Sequence, residues 1–419
     1  MKRVTSVGRS EALRYVVRLL APVAVLLAGF LALLWWAQPI AAFLGRREPW
    51  DAVDFATLYS AADAVLRGDG HLLYSPDALL NVQDAAVGRA DGEPLAYLNP
   101  PFFALLLAPL ALLPFDTAFQ VWLLLNAALL ALSAWLLHQI VAPLPPRLRL
   151  ALVVVCLSLY PLTFALRLGQ FSVLLLLSWA AAYLFLKRGA DRKAGVALAG
   201  LLIKPELLIP VSIYLLWTKR TGVFETLLPL TLTAVAVSFL VTGIEAGLAY
   251  PEFILSNAND AGRGTRLDLM FGWNGLLGGF LGNEDPLRTT LLSLPFVTLT
   301  ALAVIKGCSG RAGELARDWL VVTLGTVLVD PNFFIQDTLI LASAALGFAA
   351  AAQGLQRPVA LGAIALGWVI LAFGLYPGGA LGLNVFSLYV AAILALLVLR
   401  RRAATVEMEG AAGLFQRAA

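Results

Sequence analysis

From about Val16 to Arg400 the chain is a succession of apolar runs separated by short polar, basic or proline-bearing breaks. Runs of this length and number read as membrane helices. Composition leaves little room for a soluble alternative: 13% of the residues are Asp, Glu, Lys or Arg, whereas soluble domains carry roughly 25%. With 60% hydrophobic residues, disorder, collagen, coiled coil and disulfide scaffolds are excluded by the same comparison. Cys156 and Cys308 have no metal spacing and form no disulfide framework. The expected class is an all-α, polytopic integral membrane protein with about 10–12 transmembrane helices plus short interfacial or re-entrant ones.

Basic residues orient such a chain. Lys2, Arg3, Arg9, Arg14 and Arg18 precede an apolar stretch from about Val16 to Leu44, too long for a signal-peptide core of roughly 7–15 residues. It reads as a retained first span with a cytoplasmic N-terminus. The polar segment 45–99 then forms a first extracytoplasmic loop. Further apolar segments cover approximately 101–113, 117–141, 150–166, 171–187, 195–217, 225–243, 286–305, 318–330, 334–353, 358–376 and 384–400. If each crosses once, the basic loop Lys187–Lys193 falls outside, against the positive-inside tendency. If 101–113 dips in and returns, and 195–217 is a hairpin broken at Lys204-Pro205, that loop falls inside with Arg147, Arg149, Lys219 and Arg220. The second scheme is preferred. Both put 251–285 outside as a second loop and Arg400–Arg402 inside, so residues 1–402 form one membrane domain and 403–419 a short, frayed cytoplasmic tail.

The preferred scheme gathers the unusual polar residues at one boundary of the membrane. Asp54 stands where it can cap a helix running to about Leu66, which would lie flat on the membrane, and Asp51 reads as a solvated loop charge. A general base for an acceptor hydroxyl is the other reading of Asp54. Lys204, flanked by apolar residues, costs roughly 2.5–3.5 kcal/mol to insert unless it snorkels or is paired. It either pairs with Glu206 or holds a lipid-linked anion. Arg263 and Arg266 in the second loop and Arg167 beside Gly169-Gln170 are candidates for phosphate contacts or for ordinary boundary roles. The Asp330–Asp337 turn either caps a helix or meets a sugar or acceptor. His71 and His138 have no partner at metal spacing, and no phosphate-binding loop, dinucleotide fingerprint or zinc-protease pair occurs. No nucleic acid is expected as a partner.

The order of certain landmarks resembles the family-87 glycosyltransferases over roughly residues 50–340. They are Asp54-Phe55 with Tyr59 and Ala61-Ala62, Gly68, Leu73-Tyr74, Asn99-Pro100-Pro101-Phe102, Pro109-Leu110 and Trp122; then Gly169-Gln170, Ala194-Gly195, Gly200, Ile203-Lys204-Pro205, Asp330-Pro331 and Gln336-Asp337. The resemblance implies the multi-spanning GT-C architecture of the polyprenol-phosphate-mannose-dependent mannosyltransferases. It implies a hexose, mannose favoured, moved with inversion from a polyprenyl-phosphate donor to a lipid or glycan acceptor on the extracytoplasmic face of the plasma (inner) membrane, in building the cell envelope. Asp54 falls at the place of the family's base. The expected site therefore comprises Asp54 as base, Lys204, Arg263, Arg266 and Arg167 at the donor phosphate, and Asp51, Tyr59, Asn99, Gln170, Gln336 and Asp337 at the substrates. The sequence departs from the family at the late turn, where members often carry His or Tyr and this chain has Phe334 and Gln336. A polyprenyl monophosphate leaves as an anion without protonation, so a cation can replace a general acid and no metal or other cofactor is expected. The rival reading is a flippase or transporter of a lipid-linked sugar, using the same cationic groove without bond cleavage.

Overall fold

The computed structural model describes residues 29–46, 48, 51–87, 95–158, 160–257, 269–281, 286–373 and 384–418. Among them all regular structure is helical: α1 (Gly29–Phe43), then α2 (Val53–Leu66), α3 (Pro76–Val87), α4 (Pro101–Ala111), α5 (Phe115–Ile140), α6 (Pro146–Leu157), α7 (Tyr160–Leu168), α8 (Ser172–Lys187), α9 (Asp191–Ala199), α10 (Leu208–Trp217), α11 (Phe224–Asn257), α12 (Gly272–Leu281), α13 (Pro286–Gly307), α14 (Leu315–Val329), α15 (Ile340–Ala351), α16 (Gln356–Ala372) and α17 (Val385–Ala418). The chain is an all-α membrane protein.

Among the described residues, three helical stretches are long and apolar enough to cross a bilayer singly: Phe115–Ile140, Thr221–Ile254 and Leu287–Gly307. The pair α6 and α7, bent by 42°, makes a fourth if taken as one broken span. That count is smaller than the ten to twelve expected from hydropathy. Six further apolar helices run to only 10–17 residues, short of the roughly 20 that a straight span needs. Prolines, glycines and Lys204 interrupt the apolar runs. Large apolar side chains such as Leu124, Leu232, Leu240, Leu291 and Leu299 point outward and stay exposed, as lipid-facing positions require.

Lipid gives no hydrophobic drive between helices, so packing and sparse polar contacts hold them. Trp179 Nε1 donates to Thr323 Oγ1 at 3.0 Å between α8 and α14. Gly195 lets α9 approach the start of α11, for a Cβ there would stand 2.2 Å from the Val223 carbonyl oxygen. Buried Asp318 accepts the backbone N–H groups of Ser309 and Gly310 at 2.9 and 2.8 Å, closing the turn before α14.

The turns fall at two ends of the bundle. At the basic end, Arg220 Nη1 donates to the Leu186 carbonyl at 2.9 Å and to Asp191 at 3.0 Å, and Arg192 pairs with Glu225 at 2.6 Å. Both ends of the 191–217 segment therefore lie together, making it a hairpin with Lys204 at its tip. Arg317 donates to the Gly307 and Leu397 carbonyls at 2.7 and 2.6 Å, and Arg401 to that of Lys306 at 2.7 Å. At Lys306 and Gly307, the end of α13, these cations satisfy carbonyls that the helix leaves free. The opposite end holds the start of α2, the α7–α8 turn, the hairpin tip and the α14–α15 link.

Two local expectations are corrected. α2 does not lie with one face on lipid: Phe55, Ala56, Thr57, Leu58, Ser60, Ala61, Ala62 and Ala64 are all buried, with α4 and α3 packed against it. Its small residues permit that close covering. The chain beyond Arg402, expected to fray, continues as helix to Ala418. Ala, Glu and Met in that stretch are strong helix formers.

Candidate active site

Asp54 enters the site through the way α2 begins. The N-cap is Ala52, in left-handed conformation (φ 63°), not Asp54. The Ala52 N–H is bonded to the Arg167 carbonyl at 2.7 Å, and Asp51 accepts Arg167 Nε at 2.6 Å and the Glu48 N–H at 2.8 Å. Arg167 also donates to Gln38 Oε1 at 2.8 Å. These contacts staple the head of α2 to the end of α7. Asp54, in the first turn, is thereby released from capping and aims at the α7–α8 turn. There Gln170 Nε2 donates to Asp54 Oδ2 at 2.6 Å.

The turn that presents Gln170 is tightly specified. Gly169 has φ +77°, and a Cβ there would lie 2.4 Å from Phe55 Cβ. Only glycine relieves both the backbone strain and the overlap. Trp122 Nε1 holds the Gly169 carbonyl at 2.8 Å, and the Gln170 N–H is bonded to the Ala165 carbonyl at 2.8 Å.

Lys204 comes from the hairpin tip, between the 3-10 turns Gly200–Ile203 and Pro205–Leu207. Its ammonium donates to Asp337 Oδ2 at 2.5 Å and to the Asn332 carbonyl at 2.8 Å, and stands 3.6 Å from Asp330. It also lies 5.6 Å from the centre of the Phe333 ring. The partner expected from sequence, Glu206, is replaced by carboxylates from the α14–α15 link. Asp337 Oδ2 accepts the Phe334 N–H as well, at 3.0 Å, and so closes the turn Ile335–Leu339. Asn99 Nδ2 donates to the Ile203 carbonyl at 3.0 Å and steadies the tip from the side of α4.

These groups surround a cavity of about 420 Å³ lined by Asp54, Asn99, Gln170, Lys204, Glu206, Gln336 and Asp337, with apolar walls from Leu58, Leu98, Phe164, Phe171, Ile254 and Phe334. Among the described residues three acidic side chains, Asp54, Glu206 and Asp337, thus share the cavity with one ammonium. Burial is the main cause that raises the Asp54 carboxyl to about pH 6; the Gln170 hydrogen bond opposes it, and the nearby Asp337 charge adds to it. Such a group is a carboxylate at neutral pH yet a better proton acceptor than an exposed aspartate.

Among the expected site residues, Asp54, Asn99, Gln170, Lys204, Gln336 and Asp337 are brought together. Asp51 and Arg167 do not line the cavity; they neutralise each other behind it, because the head of α2 needs that staple. Tyr59 is also turned away, its hydroxyl donating to the Leu113 carbonyl at 2.8 Å and its ring edge-on to Phe115. Arg263 and Arg266 lie outside the described residues. Glu206 and Tyr250 line the cavity unanticipated. Glu206 had a visible signal, a second charge beside Pro205, but proximity in sequence assigned it to Lys204.

The family model for glycosyltransferase family 87 matches residues 97–331. That span takes in the Gly169-Gln170 turn, the hairpin and Asp330, and begins after Asp54. No curated protein and no solved structure matches the chain.

Proposed function

Given that the chain belongs to glycosyltransferase family 87, and is therefore a glycosyltransferase, we propose that it takes a hexose from a polyprenyl-phosphate sugar on the extracytoplasmic face of the plasma membrane. The acceptor is a hydroxyl of a lipid or glycan, and mannose is the hexose that the family resemblance favours. One observation carries this reading: the half-buried Asp54, its Oδ2 held by Gln170, lines a cavity with apolar walls that it shares with the Lys204 ammonium.

In the proposed step the acceptor oxygen attacks the anomeric carbon from the side opposite the phosphate. The acceptor proton passes to Asp54 Oδ1 as the new C–O bond forms. The bond from the anomeric carbon to the phosphate oxygen breaks, and its electron pair leaves with the polyprenyl phosphate, giving inversion. Lys204 has three N–H groups; Asn332 and Asp337 take two, and the ammonium, with Asp330 3.6 Å away, lines the cavity where the leaving phosphate would meet it. The carboxylates around it hold the ammonium in place at the cavity floor. Apolar walls suit the first isoprene units of the carrier, and a chelator is expected to leave the rate unchanged.

The test is purified protein reconstituted in lipid vesicles with a radiolabelled polyprenyl-phosphate hexose and a lipid extract as acceptor source. Label should appear in a new glycolipid or glycan. Donor that crosses a vesicle membrane but is never cleaved would instead establish the flippase reading.

A further inference from the structure

We propose that Gln170 is a positioning residue for the base: its side-chain amide fixes the Asp54 carboxylate through Oδ2 and leaves Oδ1 as the oxygen that receives the acceptor proton. This rests on the transferase reading above and adds a residue that acts through Asp54 rather than on the sugar.

The geometry makes the amide a fixed support. An unconstrained glutamine samples many rotamers, but this one follows a turn that can scarcely move. Gly169 is pressed against Phe55, the same residue that follows Asp54 on α2. Trp122, one turn below Phe119 on α5, locks the Gly169 carbonyl, and both rings pack against Phe55 with centroids 5.9 and 5.4 Å away. Three elements, α2, α5 and the α7–α8 turn, therefore meet on one aromatic node. Its outcome at the cavity is a 2.6 Å contact between residues 116 positions apart. A primary amide donates to a carboxylate and cannot accept its proton at neutral pH, so Gln170 supports the ionised base without competing for the acceptor's proton.

The direction of the effect on titration follows. A donor to the charged form favours that form, and the Gln170 bond does lower the Asp54 carboxyl against the upward push of burial. The other titratable or charged groups around Asp54 are Asp337 on the Ile335–Leu339 turn, Lys204 and Glu206 on the hairpin, Tyr160 on α7 and Tyr250 on α11. Asp51 and Arg167 are paired behind it. Removing the amide takes away its 2.6 Å bond to Asp54 and leaves these charges in place.

The experiment uses full-length protein in nanodiscs, comparing wild type with Gln170→Ala and Gln170→Asn, the latter keeping a polar side chain in case the former folds poorly. Two readouts are taken. With polyprenyl-phosphate hexose as substrate, kcat should fall on the order of tenfold, a small part of the roughly 10²–10⁴-fold worth of a general base. KM for the donor should stay within about twofold, and the rising limb of the pH–rate profile should move to higher pH. Independently of any substrate, the infrared carboxylic band that disappears in Asp54→Asn should titrate at higher pH in both Gln170 variants. An unmoved band and limb, or a rise in KM alone, overturns the proposal, the second outcome marking Gln170 as a substrate ligand. Should Asp54→Asn keep full activity, the base assignment fails, and the infrared titration still decides whether Gln170 governs Asp54.

Discussion

Asp54 illustrates how one side chain's surroundings set two pH dependences of opposite sign. Its carboxyl is raised from 3.8 to about 6, so the folded chain binds a proton there more tightly than the unfolded chain does. Stability from this group is present below the ordinary carboxylate range and is lost as pH rises from about 4 to 6. Activity runs the other way, because only the carboxylate can accept a proton. We expect transfer to rise with pH through about 6 while thermal stability declines over the same interval, and Asp54→Asn to remove the rise in transfer and to lessen the decline in stability. Activity of that variant should fall about 10²–10⁴-fold; full activity would remove Asp54 from the mechanism. That Asp54 stands in the first turn of a helix after an apolar run was legible in the sequence. Its release from capping was not, because Ala52 in left-handed conformation and a glutamine 116 residues away decide it.

The 191–217 hairpin and the α14–α15 link are two elements made for each other. A lysine after an apolar run and before a proline announces a break, and the sequence located both the tip and the return. It misassigned the partner, since adjacency favoured Glu206 whereas the fold supplies Asp337 and Asp330 from 133 and 126 positions on. Removing one member of a buried ion pair costs about 3–5 kcal/mol, whereas replacing both by apolar residues of similar size is often nearly neutral. Lys204→Met and Asp337→Leu should therefore each lower the unfolding temperature in detergent, and the double variant should recover part of that loss without recovering transfer. If each single variant melts like wild type, the ion pair does not secure the tip. The α6–α7 bend and the second helical stretch that follows the kink of α11 at Gly243 and runs to Asn257 were likewise illegible, because hydropathy marks apolar stretches and not where a helix turns.

For the whole molecule, the basic and site-bearing ends make the topology testable. Both native cysteines are buried, so a membrane-impermeant thiol reagent has little background. In intact cells Leu98→Cys, beside the cavity, should be labelled from outside, and Arg188→Cys only after permeabilisation. Outside labelling of Arg188→Cys would overturn the hairpin orientation. The all-helical class and membrane residence followed from the apolar runs and the scarcity of charge; the convergence of widely separated segments on one cavity needed the packed structure. That packing also imposes an order in time. Ribosomes add roughly 5–20 residues per second, and Lys204 precedes Asp337 by 133 residues. The nascent hairpin therefore waits on the order of ten seconds with only Glu206 of its carboxylate neighbours, until the α14–α15 link arrives. Premature chain termination before that link leaves the ammonium without Asp337 and Asp330, the two carboxylates that seat it in the finished fold.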